Sequence, residues 1–275
     1  MYKRQGQHFT NSELVGEALL ENPLYTVFRG DVLFYPHHQA RFPGAEKIID
    51  NTLTRGAGFF HYTGHSTSSS TTAENVWNAN RSQNLEFDFP SFGIFSSCDT
   101  YPLDREASSM VQLMVSQPRG GMIGMIGACR SVYLEHNQSL SMGIAHLYAH
   151  AEPGMTGADI LRVARNNMIA DPTTFSAGLG YNTLCYNYCG DPAVPLSLPT
   201  FGIDFEYPAG ADAPVAGKSH KLSGKITDGE GNTVTYFNGR ALVEIFDAPT
   251  DRTTILRNSN DGKEPTTCLL YTSDA

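Results

Sequence analysis

The chain has 275 residues, 40% hydrophobic and 17% charged, enough for one large domain or for a domain and part of another. Its formal net charge is -9 and no basic stripe runs through it, which argues against a nucleic-acid partner, since phosphate binding needs clustered Lys and Arg. No apolar run in the sequence approaches the length of a membrane span.

In chain order the first feature is the ends. Met1-Tyr2-Lys3-Arg4-Gln5 and Cys268-Leu269-Leu270-Tyr271-Thr272-Ser273 can be encoded by DNA stretches that are reverse complements over most of their length, and they resemble a sequencing-library adapter read through in frame. Residues 1–5 and 268–275 are therefore expected to be non-native, and the remainder is expected to be a fragment of a longer protein. What remains is expected to divide into a domain at 6–200 and the start of another at 201–267.

Val32-Leu33-Phe34-Tyr35 reads as a short strand. A helix is predicted over 43–55, with Ala45, Ile48, Ile49 and Leu53 on one face, and Gly56 stands where a helix end favours a left-handed residue. A strand over 57–62 comes next. The stretch 64–90 is polar, rich in Ser, Thr and Asn, and reads as a long loop of the kind that is often functional. The next strand is predicted at 92–97. Asp104 is the expected cap of a helix over 106–117, where Ala107, Met110, Val111 and Met114 fall at helical spacing. Gly120-Gly121 opens a third buried strand over 122–128. Helices are predicted at 140–150 and 157–168, the latter with Thr156 and Asp159 as a capping box. Gly190-Asp191-Pro192 reads as a tight turn before the last strand. This alternation predicts an α/β sandwich with a mainly parallel sheet.

Beyond Pro199 the character changes. Pro208, Ala209, Gly210 and Pro214 suggest a linker. Strands are predicted over 221–226, 233–237 and 240–246, separated by the turns Gly229-Glu230-Gly231-Asn232 and Asn238-Gly239. That pattern predicts an antiparallel β-sandwich domain of which only the start is present.

Two blocks carry the chemistry. Phe59-Phe60-His61-Tyr62-Thr63-Gly64-His65-Ser66 and Phe92-Gly93-Ile94-Phe95-Ser96-Ser97-Cys98-Asp99 are apolar runs that end at a base and at a nucleophile. Functional groups of an open parallel sheet gather beyond the carboxyl ends of its strands. There His65 can take the proton of the Cys98 thiol and later give it to a leaving amine. The turns after the two strands can offer the backbone N–H groups of Ser66 and Cys98 to a developing oxyanion.

Other residues carry weaker signals. His61 lies four residues before His65, a spacing that does not converge on a strand, so it reads as packing. His146 and His150 stand at helical i, i+4 spacing without an HExxH glutamate and read as helix surface. Trp77 is a candidate for the substrate cleft, with packing under the long loop as the rival. Asp99 reads as a turn residue. Cys185 and Cys189 read as buried thiols or one local disulfide rather than metal ligands. No metal site is expected from these residues.

In this order and strand context the blocks resemble the gingipain family of cysteine peptidases, within the larger caspase-like clan. The matching stretches are Phe60 to His65, Trp77 and Phe95 to Asp99. Further on come Gly120-Gly121-Met122-Ile123, Ala128-Cys129-Arg130-Ser131-Val132-Tyr133 and Gly190-Asp191-Pro192-Ala193. The β segment, with Gly224-Lys225-Ile226-Thr227-Asp228, Gly231-Asn232, Tyr236-Phe237-Asn238-Gly239 and Ile245-Phe246-Asp247, is similar to the segment after the catalytic domain in the type IX secretion sortase branch. The degradative gingipains also carry a β-sandwich there.

The resemblance implies a caspase-like α/β/α sandwich, His65 as base, Cys98 as nucleophile and Cys129 as a structural thiol. It also implies a polypeptide substrate, a secreted, cell-surface or outer-membrane setting, and structural calcium, although no EF-hand-type loop is present. The family's third, acidic residue, which orients the histidine, is expected near or before the start of this chain. One position departs from the family: Ser66 stands where a glycine usually comes after the histidine, which would strain the backbone if that position needs a glycine-only conformation. The expected function is a cysteine endopeptidase, or peptidase-like transpeptidase, working through an acyl-enzyme. A catalytically inactive cell-surface or secretion-system module is the alternative, and a metal-dependent hydrolase using the His pairs is a third.

Overall fold

Four strands form the central sheet, and their order decides which loops share an end. A computed structural model of the chain describes residues 2–27, 45–71, 76–84, 86, 89–170, 176–206, 219, 221–239, 250–255 and 265–270. Two units are present, Met1–Asp31 with Pro43–Thr200, and Val32–Phe42 with Phe201–Ala275.

In the first unit the elements run α1 (Tyr2–Leu19), α2 (Ala45–Arg55), β1 (Phe59–Thr63), β2 (Ser70–Thr71), β3 (Trp77–Asn78), α3 (Ala79–Asn84), β4 (Ser91–Ser96), α4 (Met110–Val115), β5 (Met122–Ala128), α5 (Leu134–Ala149), α6 (Gly157–Ala170), α7 (Ala177–Cys185) and β6 (Tyr186–Gly190). The sheet order is β1-β4-β5-β6. β1, β4 and β5 are parallel, and β6 runs antiparallel to β5. The α/β class and the mainly parallel sheet are as expected from the sequence.

Each strand sends alternate side chains to opposite faces, and this builds two cores. On one face Phe92, Ile94, Ile126 and Ala128 pack with Val15 of α1, Leu140 and Ile144 of α5 and Ile160 of α6. On the other, Phe95 and Met125 pack with Leu53 of α2, Trp77 of β3 and Met110, Val111 and Met114 of α4. The pairing of β4 with β5 slips by one residue between Ser91 and Phe92, so Met122 and Met125 both reach the second core although they stand three apart.

Several boundaries differ from expectation for identifiable reasons. The helix expected over 106–117 is the shorter α4, capped by Ser109, whose hydroxyl accepts from Gln112 N while Gln112 Oε1 accepts from Ser109 N. Asp104, the expected cap, instead pairs with Arg130. The long polar stretch is interrupted by the β2–β3 pair and by α3. The strand expected after Gly190-Asp191-Pro192 lies before it, as β6. α5 begins earlier than predicted, at Leu134. Gly56 is left-handed at φ 101°, as its position after α2 predicted. Gly121 at φ 87° leaves no room for a Cβ against the Met114 carbonyl, which is why a glycine opens β5.

The second unit contains two antiparallel pairs among the described residues. β7 (Phe201–Glu206) pairs with β8 (Ser223–Asp228), and β9 (Thr250–Ile255) with β10 (Pro265–Leu270). The strand predicted over 233–237 is reduced to a single bridge between Thr227 and Thr233. The strand predicted at Val32 to Tyr35, the linker prolines and the strand predicted over 240–246 lie outside the described residues.

Candidate active site

β1 and β4 are neighbours in register, with Thr63 opposite Ser96 at their carboxyl ends. His65 and Cys98 each come two residues later, so both emerge from the same edge of the sheet. Two hydroxyls lash the emerging turns together. Ser97 Oγ donates to the Gly64 carbonyl at 2.5 Å. Ser66 Oγ shares its proton between the Cys98 carbonyl and Ser97 Oγ, each at 2.5 Å. Asp99, directly after the cysteine, is the single non-glycine residue at positive φ (52°) among the described residues. That backbone, held by Asp99 N–H donating to the Arg130 carbonyl, turns the chain sharply after Cys98.

Ser66 is therefore free of the strain its departure from glycine suggested: its backbone is outside the left-handed region. Its hydroxyl fixes the carbonyl of Cys98, which a glycine could not do. Among the described residues, no turn or loop hydrogen bond takes up the N–H of Ser66 or of Cys98.

The Cys98 sulfur faces the loop after β5. Val132 N–H donates to Sγ at 3.4 Å, and Sγ lies 3.6 Å from the Val132 carbonyl. A buried amide network holds that loop against β4. Asn137 Nδ2 donates to the Ser96 carbonyl, its Oδ1 accepts from Asn182 Nδ2 at 2.9 Å and from Tyr186 OH at 2.8 Å, and Asn182 Oδ1 accepts from Tyr133 N at 2.6 Å. Burial raises the Tyr186 phenol well above its ordinary range, so it stays a donor.

His65 is exposed, and Tyr62 OH donates to its carbonyl at 2.9 Å. The ring that reaches it from α1 is that of His8, edge-on with centroids 5.4 Å apart. His8 Nδ1 lies 3.1 Å from Thr63 Oγ1, which also accepts from Asn11 Nδ2. Burial, with a smaller contribution from the charge of His65, pushes His8 down to about 4, so it is a neutral imidazole near pH 7.

Other candidates fall elsewhere. Trp77, a candidate for the substrate cleft, is 2% exposed and belongs to the second core, its indole N–H donating to Ser82 Oγ at 2.7 Å. The indole needs that buried acceptor, and a ring sealed under α3 and α4 does not reach a substrate. His61 is packed as expected, 3.2 Å from Ser96 Oγ, and burial pushes it down to about 4. Cys129, Cys185 and Cys189 are free thiols, and burial raises those of Cys185 and Cys189. Among the described residues the one grouping of metal-type ligands is Glu21 with His146 and His150, and its nitrogens do not suit the oxygen shell that calcium takes.

The family model described as Peptidase family C25 matches residues 7–197. The chain belongs to peptidase family C25. Among solved structures it is similar to "the Arg specific cysteine proteinase gingipain R (RGPB)", at 12% identity and a TM-score of 0.57, over 73% of this chain and 46% of that one. It also matches a structure titled "Structure of Protease" at 14% identity and a TM-score of 0.45, over 79% of this chain and 55% of that one. A third match is a complex of Porphyromonas gingivalis RgpB pro- and mature domains, at 13% and 0.46, over 60% and 40%. The chain thus spans about half the length of these structures. No curated protein matches it. The likeness to gingipain R supports the caspase-like α/β reading of the first unit and stops at the fold.

Within this C25 fold, reasoning from sequence did not find His8, Val132 N–H or the Asn137–Asn182–Tyr186 network. The last had a faint signal, since asparagine inside a helix is unusual unless its amide is bonded. The other two had none.

Proposed function

We propose that this C25 chain is the core of a cysteine endopeptidase in which Cys98 attacks and His65 carries the proton. The observation that supports it most is the register of β1 and β4, which brings both residues out at one sheet edge, two positions beyond paired strand ends. His65 takes the thiol proton as Cys98 Sγ bonds to the scissile carbonyl carbon. The carbonyl oxygen becomes an oxyanion and accepts from the N–H groups of Ser66 and Cys98. Collapse breaks the C–N bond, and the imidazolium gives its proton to the departing amine, leaving a thioester. Water then attacks, His65 takes its proton, and the acid product leaves as the thiol is restored. A second chain's amine in place of water would make the same site a transpeptidase.

Val132 N–H adds a donor to the sulfur, and a hydrogen bond to a thiolate favours the ionised form. We assign His8 the role of positioning residue, whose ring limits the rotation of His65. Membership of the family favours polypeptide substrates and a secreted or cell-surface setting; no helix among the described residues is long and apolar enough to cross a membrane.

The test is Cys98→Ala. Labelling by an acyloxymethyl-ketone probe and cleavage of a denatured protein substrate are expected to vanish, while the wild type is labelled at Cys98. Absence of labelling of the wild-type thiol under reducing conditions would favour a non-catalytic module instead.

A further inference from the structure

The structure carries a second cluster of chemistry-bearing side chains, at the opposite end of the sheet from Cys98. His146 lies in the last turn of α5, and His150 caps that helix. At i, i+4 they stand side by side on one helix face, with ring centroids 4.7 Å apart and planes inclined by 57°. Glu21 arrives from the turn that ends α1. Its Oε2 lies 2.8 Å from His146 Nδ1 and 2.8 Å from His150 Nε2. The three ligand atoms all fall within 4.8 Å of one another.

This convergence is built by the fold. Asn22 Nδ2 donates to the Ala149 carbonyl at 2.8 Å, and Tyr25 OH donates to the Tyr148 carbonyl at 3.2 Å. These bonds, one and four residues beyond Glu21, seat the end of α1 on the end of α5. The carboxylate is thus delivered to the histidine pair by side-chain-to-carbonyl hydrogen bonds that do not involve it. Leu19 and Ala145 are buried beneath the same junction.

We propose that Glu21, His146 and His150 form a binding site for a borderline divalent transition-metal ion, zinc being the probe of choice, which clips the end of α1 to the end of α5. Two imidazole nitrogens and one carboxylate oxygen make a ligand set suited to zinc, nickel or copper, and unsuited to calcium or magnesium, which demand oxygen. Metal–nitrogen and metal–oxygen bonds of about 2.0–2.2 Å in a tetrahedron would spread the ligand atoms to roughly 3.3–3.5 Å apart. From the present 2.8 Å, the two oxygen–nitrogen spacings must open by about 0.5–0.7 Å, a side-chain adjustment among atoms that all lie within 4.8 Å of one another, with water completing the shell.

The side chains are 45–58% exposed, so an ion can reach them without unfolding. The ion would displace imidazole N–H protons that now face the carboxylate and would hold the same three groups together more strongly. Because the unfolded chain lacks the convergence, binding adds to folding stability. The proposal stands apart from the peptidase reading: none of the three residues touches His65 or Cys98.

The test uses the full chain carrying Cys98→Ala, so that the candidate nucleophile does not compete for metal. Calorimetric titration with zinc is expected to give one ion per chain, and cobalt is expected to bind without the sulfur-to-metal charge-transfer band of a thiolate site. At zinc about a hundredfold above its dissociation constant, the melting temperature is expected to rise by roughly 5–10 °C. His146→Ala with His150→Ala is expected to weaken binding at least tenfold and to remove the rise. Glu21→Gln is expected to weaken it less. Melting of the metal-free variants shows whether they fold, and His150→Gln, which keeps a polar group at the cap, provides a second measure of the same loss. The proposal is overturned by zinc binding no tighter than about 1 mM, by undiminished binding in the double variant, or by a thiolate band with cobalt.

Discussion

At one end of α1 an imidazole meets an imidazole; just past the other end, a carboxylate meets two. His8 stands edge-on to His65, with burial holding it neutral. Glu21 accepts from His150 and His146, and these bonds hold its carboxyl below the usual range. The same helix thus offers the Cys98 end of the sheet a neutral ring, and the turn after it offers the far end a carboxylate. The difference teaches where rigidity and where responsiveness are placed. Around Cys98 the fixed groups are backbone carbonyls, hydroxyls and amides, whose dipoles do not change with pH. The one grouping of a carboxylate with two imidazoles among the described residues lies at the other end.

If that division holds, the largest effect should come from His65 and should be confined to activity. His65→Ala is expected to lower kcat by about 10²–10⁴. Because the side chain is exposed, the melting temperature should stay within the change that about 0.5 kcal/mol produces. A large loss of stability would show that His65 is part of the packing. The reverse pattern is expected at the far end of β4. Phe92 is 1% exposed and stacked on Tyr148, at 5.9 Å between centroids and 14° between planes. Phe92→Ala should cost about 3–5 kcal/mol of stability by urea unfolding. Probe labelling of Cys98 in the fraction that remains folded should continue.

His61 tests whether the Cys98 side of the sheet tolerates charge. Its folded pKa of about 4 lies below the ordinary value of 6.5. Between those values the unfolded chain binds a proton that the folded chain refuses. Stability contributed by the neutral ring is therefore complete above about pH 6.5 and is lost as pH falls towards 4, with a slope of up to about 1.4 kcal/mol per pH unit for one group. His8 is shifted in the same direction over the same window. His61→Gln should make the fall in urea midpoint between pH 6.5 and 4.5 shallower without abolishing it; an unchanged slope would mean that His61 is solvated.

The parts of the molecule that could be read from sequence share one property: their signal is local. β4 and β5 are continuous apolar runs because both faces are covered, and Met110, Val111 and Met114 mark the buried face of α4. That His65 and Cys98 leave the same end of the sheet came from strand ends, a rule of topology. α1 was missed because Gln5, Gly6, Gln7 and Asn11 blur its pattern, and among its described side chains only Val15, Ala18 and Leu19 are buried hydrophobics. α7 was missed because Gly178 and Gly180 lower its helix propensity. β6 was missed because Tyr186-Asn187-Tyr188-Cys189-Gly190 is a polar edge strand with little apolar periodicity. Trp77 was ambiguous because a tryptophan suits a cleft and a core equally, and the acceptor that decides it, Ser82, is set by α3. His8 against His65 and Glu21 against His146 are meetings across 57 and 125 residues, for which no spacing rule exists.

The smallest expected effect exchanges the logic of the two ends. His8→Glu would set a carboxylate beside His65 in place of a neutral ring, the arrangement Glu21 already has with its two histidines. An anion beside an imidazole favours the charged form of the ring. The acidic limb of the pH profile for kcat/KM should then move to higher pH, by a few tenths of a unit to about one unit given how exposed His65 is. His8→Ala, which removes the ring without adding charge, should lower kcat with little displacement of that limb. A residue that only filled space would behave alike in both variants. If His8→Glu and His8→Ala give superimposable pH profiles and neither lowers kcat, His8 neither positions nor tunes His65, and the two ends of α1 differ in composition but not in function.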